Sequence, residues 1–236
     1  MAASNMLTRP QNLPANLHAV RGRIAAAAVA AGRDPASVTL VGVSKTQPAS
    51  AVRAAIEAGL ADFGENYVQE AVAKIDEVAR PGIAWHLIGP LQSNKTREVA
   101  ERFQWVHTVD REKIARRLSE QRPHYAPPLQ VCLQVHLGDE PTKSGAAPAA
   151  LEALAGQVAS LPRLRLRGLM CIPPAEDDPA RQRHWFAELR RLRDSLNSRG
   201  HALDVLSMGM SADFELAIAE GATHVRIGTA IFGSRP

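Results

Sequence analysis

Val41-Gly42-Val43-Ser44-Lys45-Thr46-Gln47-Pro48 (VGVSKTQP) ends an apolar run on a lysine and opens a new segment with proline. The run Val38–Ser44 is β-branched and too short for a helix, so it reads as a strand buried on both faces. Pro48 suits a helix start, and Pro48–Ala58 carries Val52, Ala55 and Ile56 on one face before Gly59 stops it. The unit is strand, short loop, helix.

The unit recurs along the chain. Further strand-like runs are Ala61–Gly64, Ala84–Gly89, Trp105–Asp110, Leu129–Leu137, Leu164–Ile172, Leu203–Met208 and Thr223–Ile227. Helical patterns fall between them at Tyr67–Ala79, Ser93–Phe103, Arg111–Gln121, Pro148–Ser160, Pro179–Arg199 and Ala212–Glu220, and another around Leu13–Ala31 precedes the first strand. Strands alternating with helices imply parallel pairing through crossover helices. Eight such units predict an α/β fold, a single (β/α)8 TIM barrel over residues 38–233 with an extra N-terminal helix over 11–31. One domain then fills 1–236, and the N-terminal helix covers the side that the short tail after the last strand leaves open. An open doubly wound sheet is the alternative; it wants a glycine-rich turn after the first strand, and Lys45-Thr46-Gln47 is not one.

Composition narrows the function classes. Apolar residues make up 45% and charged residues 22%, a soluble globular mix. The net charge of +4 is spread along the chain and aromatics are only 4%, which argues against a nucleic-acid platform. Cys132 and Cys171 sit inside apolar runs and read as small core residues in a reducing compartment; neither CxxC nor metal-type Cys/His spacing occurs. The alanine-rich Ile24–Ala31 is too short to span a bilayer and starts too far from Met1 for a signal sequence, so a cytoplasmic protein is expected.

Barrel chemistry collects where strands end. Lys45 has a plain reading as a lysine that snorkels to water, and a second as a desolvated amine that forms a Schiff base with an aldehyde. The loops after the seventh and eighth strands, Ser207-Met208-Gly209-Met210-Ser211 and Gly228-Thr229, offer hydroxyls and accessible N–H groups and favour a phosphate. Ser211 is also placed to cap a helix from Ala212, with Asp213 answering the same dipole. Arg226 lies two residues before the Gly-Thr turn, near that phosphate or reaching a surface carboxylate. Asn66 reads first as the cap of the helix beginning at Tyr67, and His86 as a core histidine with its hydrogen bonds satisfied. A Schiff-base lysine with a phosphate cradle suits pyridoxal 5′-phosphate (PLP), and equally an aldolase acting on a phosphorylated sugar.

Several long stretches then carry a resemblance. VGVSKTQP, FGENYVQE (63–70), WHLIGPLQSNK (85–95), KSG (143–145), RLRLRGLMCIPP (163–174), LSMGMSADFELAIAEG (206–221) and THVRIGTAIFG (223–233) closely resemble the pyridoxal phosphate homeostasis (YggS/PROSC) family in the same order. The resemblance implies a PLP-binding barrel similar to the alanine racemase N-terminal domain. By that likeness PLP is covalent to Lys45 and Asn66 lines its ring. Ser207, Ser211, Gly228 and Thr229 hold the phosphate, Met210 contributes backbone beside it, and Arg226 faces the pyridine nitrogen. A guanidinium cannot give up a full proton, which leaves that nitrogen a poor electron sink. Family members carry a second lysine two residues after the first, where this chain has Gln47.

The resemblance implies a PLP carrier in vitamin B6 homeostasis that stores the aldehyde and supplies apoenzymes, without catalysis of its own. A PLP-dependent amino-acid racemase is the alternative; it needs a second base opposite Lys45, and Tyr67 and Tyr125 are the tyrosines available. A PLP-free aldolase and an RNA-binding module rank behind. Without an unusually apolar surface stripe, a monomer is expected.

Overall fold

Eight parallel strands close on themselves in chain order in a computed structural model of the chain, which describes residues 12–138, 144–174 and 176–233. They are β1 (Thr39–Val43), β2 (Asp62–Glu65), β3 (Ala84–Leu87), β4 (Trp105–Val109), β5 (Leu129–Gln134), β6 (Leu164–Met170), β7 (Val205–Ser207) and β8 (His224–Ile227). Closure is made at β1, which pairs with β2 on one side and through Thr39–Gly42 with β8 on the other. The expected TIM barrel is therefore the fold.

The helices are α1 (Leu13–Ala30), α2 (Ala49–Glu57), α3 (Val68–Val78), α4 (Thr96–Arg102), α5 (Glu112–Gln121), α6 (Leu151–Ala159), α7 (Pro179–Ser198), α8 (Phe214–Ala219) and α9 (Thr229–Phe232). Each crossover helix turns its apolar stripe toward the strands, and the main core lies between strands and helices. α1 buries Leu13, Leu17, Val20, Ile24 and Ala28, a helical spacing, against α8 and α9. Asn16 and Arg33 tie it there by donating to the carbonyls of Ile231 (3.1 Å) and Ile218 (2.9 Å). With only the four-residue α9 behind β8, α1 supplies the layer that a full eighth helix would give.

Several ladders stop short of the apolar runs. β3 ends at Leu87 and β7 is three residues long, because their downstream residues leave the sheet to build one mouth of the barrel. β5 ends at Gln134, after which Val135 makes an isolated bridge to Ala146 and donates to the Met170 carbonyl at 2.8 Å.

The lumen differs from the usual stack of branched aliphatics. The rings of His86 (β3), His107 and Trp105 (β4) and His224 (β8) lie with centroids 5.0–6.2 Å apart. β8 neighbours only β7 and β1, so these side chains can meet only across the interior. Cys132, Met170 and Val205 pack with Trp105 beside them, and the Arg167 guanidinium sits 5.1 Å from the Trp105 ring.

Burial holds all three histidines below the usual imidazole range, His224 at about 3. The native rings stay neutral while the unfolded ones take up protons near pH 6.5, so stability is present above that pH and lost as pH falls below it. We expect denaturant midpoints to drop between pH 7 and pH 5, with a slope approaching about 1.4 kcal/mol per pH unit for each histidine. His224→Phe should flatten that slope.

Candidate functional site

β1 delivers Lys45 to the C-terminal mouth of the barrel. There a cavity of about 280 Å³ is walled by Val43, Lys45, Asn66, Ile88, Ile172, Met210, Ser211, Ala212, Arg226, Gly228 and Thr229. These residues come from the ends of β1, β2, β3, β6, β7 and β8 and meet only in the closed barrel. Larger depressions of about 600 Å³ beside α1 and α8 and about 510 Å³ beside α7 contain no lysine, and one of about 340 Å³ holds Lys95 without a guanidinium, so chemistry rather than size selects the site.

The turn that carries Lys45 is held from behind. Thr46 has φ +64°, a left-handed conformation uncommon for a β-branched residue. Its N–H donates to Glu70 Oε1 at 2.5 Å, and Gln47 N–H returns to the Ser44 carbonyl at 3.0 Å. Lys74, buried on α3, donates to the Ser44 carbonyl (2.5 Å), Glu65 Oε1 (2.8 Å) and Glu70 Oε1 (2.6 Å). Ser44 Oγ donates to the same Glu65 oxygen at 2.6 Å. Glu65 Oε2 is buried without a hydrogen-bond partner among the described residues. Desolvation pushes the Glu65 carboxyl above its ordinary range, with Lys74 pulling the other way. This clamp fixes the backbone on both sides of Lys45. The sequence singles out neither Lys74 nor Glu70, since a lysine on a helix is seldom buried.

Two readings of helix capping are corrected. α3 begins at Val68 after Tyr67, and no side chain caps it, so Asn66 is not a cap; it stands on the cavity wall. Its backbone is fixed by Gly89, where an added Cβ would lie 2.2 Å from the Asn66 carbonyl oxygen. α8 begins at Phe214 because residues 211–213 form a turn, so Ser211 does not cap it and faces the cavity instead. Asp213 accepts from the Met210 N–H (2.6 Å) and from Gln182 Nε2 (3.0 Å). Met210 thus lines the cavity, but its N–H is already engaged. Among the described residues, the N–H groups of Ser211, Ala212 and Thr229 donate to no carbonyl.

Ser207 departs from its expected place in a phosphate cradle. It is the last residue of β7, fully buried, and its hydroxyl lies between Arg226 Nη1 and His107 Nδ1, 2.7 Å from each. Period-two alternation turns it into the lumen beneath Arg226, while the chain reverses at Gly209 (φ +93°) and brings Ser211 to the mouth. Arg226 also donates to the Cys171 carbonyl at 2.9 Å. Its guanidinium pKa is lowered by burial, yet it stays charged at any working pH.

Other expectations find their places. His86 is a buried histidine bonded to His107 Nε2 (2.9 Å) and Asp62 Oδ1 (3.1 Å). Cys132 and Cys171 are free thiols whose burial pushes them up to about 12, which makes them inert. Gln47 is half-buried and off the cavity wall. Lys143 of the KSG stretch lies outside the described residues. No His/Cys/Asp/Glu group fit for a metal occurs among the described residues, and no helix among them is long and apolar enough to cross a membrane.

The family model for the alanine racemase N-terminal domain matches residues 15–236. The pyridoxal phosphate homeostasis protein of Pseudomonas aeruginosa is 61% identical over 220 residues, covering 93% of this chain and 94% of that one. Its Escherichia coli counterpart is 54% identical over 223 residues, covering 93% and 95%. The solved structure of PipY from Synechococcus elongatus with PLP bound superposes with a TM-score of 0.83 at 40% identity, covering 94% of this chain and all of that one. Alanine racemase of Clostridium difficile, at 14% identity and a TM-score of 0.73, shares the fold over 57% of its length.

Lys74→Met removes the cation from a buried pair and leaves Glu65 uncompensated. Chemical denaturation should show a loss of about 3–5 kcal/mol. Glu65→Leu combined with Lys74→Met should lose clearly less than that single change.

Proposed function

The chain belongs to the pyridoxal phosphate homeostasis proteins, within the alanine racemase N-terminal domain family, and on that premise we propose that it binds PLP at the C-terminal mouth of its barrel. Its role is to hold and supply this cofactor inside the cell rather than to turn over amino acids. The observation that carries the reading is the convergence of one lysine amine, one buried guanidinium and two hydroxyls on a single cavity of about 280 Å³.

The wall fits the group. Val43, Ile88 and Ile172 offer apolar faces to an aromatic ring, and Asn66 a polar edge. Ser211 and Thr229 bring hydroxyls and open N–H groups, with Gly228 leaving room for close approach, which suits a phosphate. Ser207 acts one step back, by fixing Arg226. PLP would supply a reactive aldehyde when bound, and the Lys45 amine is the group on the wall that would hold it. The clamp behind Lys45 keeps that amine at the mouth without a search through backbone conformations. Arg226 would present the ring nitrogen with a cation that gives up no proton, which disfavours amino-acid chemistry on the ring.

The make-up of the wall supports carriage over racemisation. Racemisation needs bases on both faces of the substrate. Lys45 and Arg226 are the titratable residues on the wall among the described residues, and Tyr67 lies in a neighbouring depression instead. Cytoplasmic residence, a monomeric state and delivery to PLP-dependent apoenzymes complete the proposal.

Purified protein titrated with PLP should develop an absorption band near about 420 nm, and borohydride should then fix one adduct on Lys45 by mass analysis. Lys45→Ala should lose both, and Ser211→Ala with Thr229→Val should weaken binding about tenfold or more by removing charge-assisted bonds. A spectrum that stays that of free PLP, with no labelled lysine, would overturn the reading. Sustained conversion of L- to D-alanine by the loaded protein would overturn the carrier role.

A further inference from the structure

We propose that Asp62, at the N-terminal end of the barrel, is a positioning residue for Arg226, acting through a hydrogen-bond chain of fixed polarity that runs through the lumen. The links are Arg226 Nη1 to Ser207 Oγ at 2.7 Å, Ser207 Oγ to His107 Nδ1 at 2.7 Å, His107 Nε2 to His86 Nδ1 at 2.9 Å, and His86 Nε2 to Asp62 Oδ1 at 3.1 Å. The chain starts under the cofactor cavity and ends at the first residue of β2. There the Asp62 side chain keeps 30% of its exposure on a separate depression of about 370 Å³.

The two ends set the direction of every proton between them. A guanidinium only donates, so Ser207 accepts from Arg226. A carboxylate only accepts, so His86 carries its proton on Nε2 and presents a lone pair at Nδ1. His107 must then donate from Nε2, which leaves its Nδ1 to accept the Ser207 hydroxyl proton. The reversed arrangement would set the His86 lone pair against the carboxylate. Both rings are neutral in this arrangement, in keeping with their full burial.

The remaining charged and titratable neighbours take no link. His224 lies 6.2 Å from His86 and 5.9 Å from His107 by ring centroids, with its Nδ1 at Thr223 Oγ1 (3.1 Å). Arg167 is paired with Asp204 at 2.6 Å. No carboxylate among the described residues makes a direct ion pair with Arg226. Asp213, itself bonded to the Met210 N–H and Gln182, acts on the buried charge of Arg226 only through space; the direct contacts are the Cys171 carbonyl and the polarised neutral groups that lead to Asp62, each link strengthening the next in a low-dielectric interior. The same links pin the guanidinium against rotation. The consequence for the cofactor rests on the PLP reading above; the polarity of the chain does not.

The test begins with ligand-free protein labelled with 15N-histidine. Long-range 1H–15N correlation at neutral pH should show His86 and His107 both protonated at Nε2 and unprotonated at Nδ1. An Nδ1–H tautomer or a charged ring at either position would overturn the proposal without any variant being needed. Asp62→Asn keeps the shape and removes the charge. It should shift the ring nitrogens of His86 and His107 and the Arg226 Nη signals, and raise the Kd for PLP by about three- to tenfold. Asp76→Asn, on an exposed pair with Arg102, should move none of these. Unmoved His107 and Arg226 signals in a folded Asp62→Asn protein would sink the relay. Failure of the unsubstituted protein to bind PLP would sink the functional reading and leave the tautomer result intact.

Discussion

Pairing of β1 with both β2 and β8 is the constraint on which everything else in this molecule rests. Once the ring closes, no strand edge is left to satisfy, and all eight C-terminal ends open on one mouth. Lys45, Asn66, Arg226 and Thr229 are far apart in the chain, yet become neighbours because strand order equals chain order. The same closure creates a lumen, and the chain fills it with three imidazoles, an indole and a guanidinium where aliphatic side chains would pack more cheaply. Burying these groups costs stability unless each is bonded. The unbroken set of contacts from Arg226 to Asp62 offsets that cost.

Lys45 shows how the fold fixes one side chain at the mouth. A left-handed Thr46 costs of order 1 kcal/mol or more and persists only where its surroundings over-determine it. Here Lys74, Glu65 and Glu70 do so from α3 and the end of β2. The buried Lys74 is thus bound into the framework, while Lys45, one residue from the strained position, stands on the cavity wall. Two lysines of like intrinsic chemistry take different roles through what lies around each backbone.

Arg226 joins the two ends of the barrel. At the mouth it borders the cavity; beneath, it is held by Ser207 and the Cys171 carbonyl. A cation so placed cannot swing away from a ligand, and it cannot act as a proton donor. Both properties suit a protein that keeps a cofactor available without engaging its chemistry.

Much of this was legible in the residue order. Alternating strand and helix signals at regular spacing specify parallel pairing, and eight repeats in 236 residues specify closure; Lys45 and the Gly228-Thr229 turn stand at strand ends in that pattern. The limits are equally physical. Ser207 and Ser211 share a motif, and their separation into lumen and cavity depends on where β7 ends and Gly209 reverses the chain. Asn66 and Ser211 look like helix caps because capping and ligand binding call on the same short polar side chains. The bonds of Lys74 with Glu65, and of His86 with His107 and Asp62, were invisible, since they depend on which side chains the lumen and helix layer bring within 3.1 Å or less. Local periodicity and turn chemistry are written in the sequence and determined the barrel and the residues at its rim. Contacts between distant segments arise only on closure, and they decided which polar residues line the cavity and which hold the others in place.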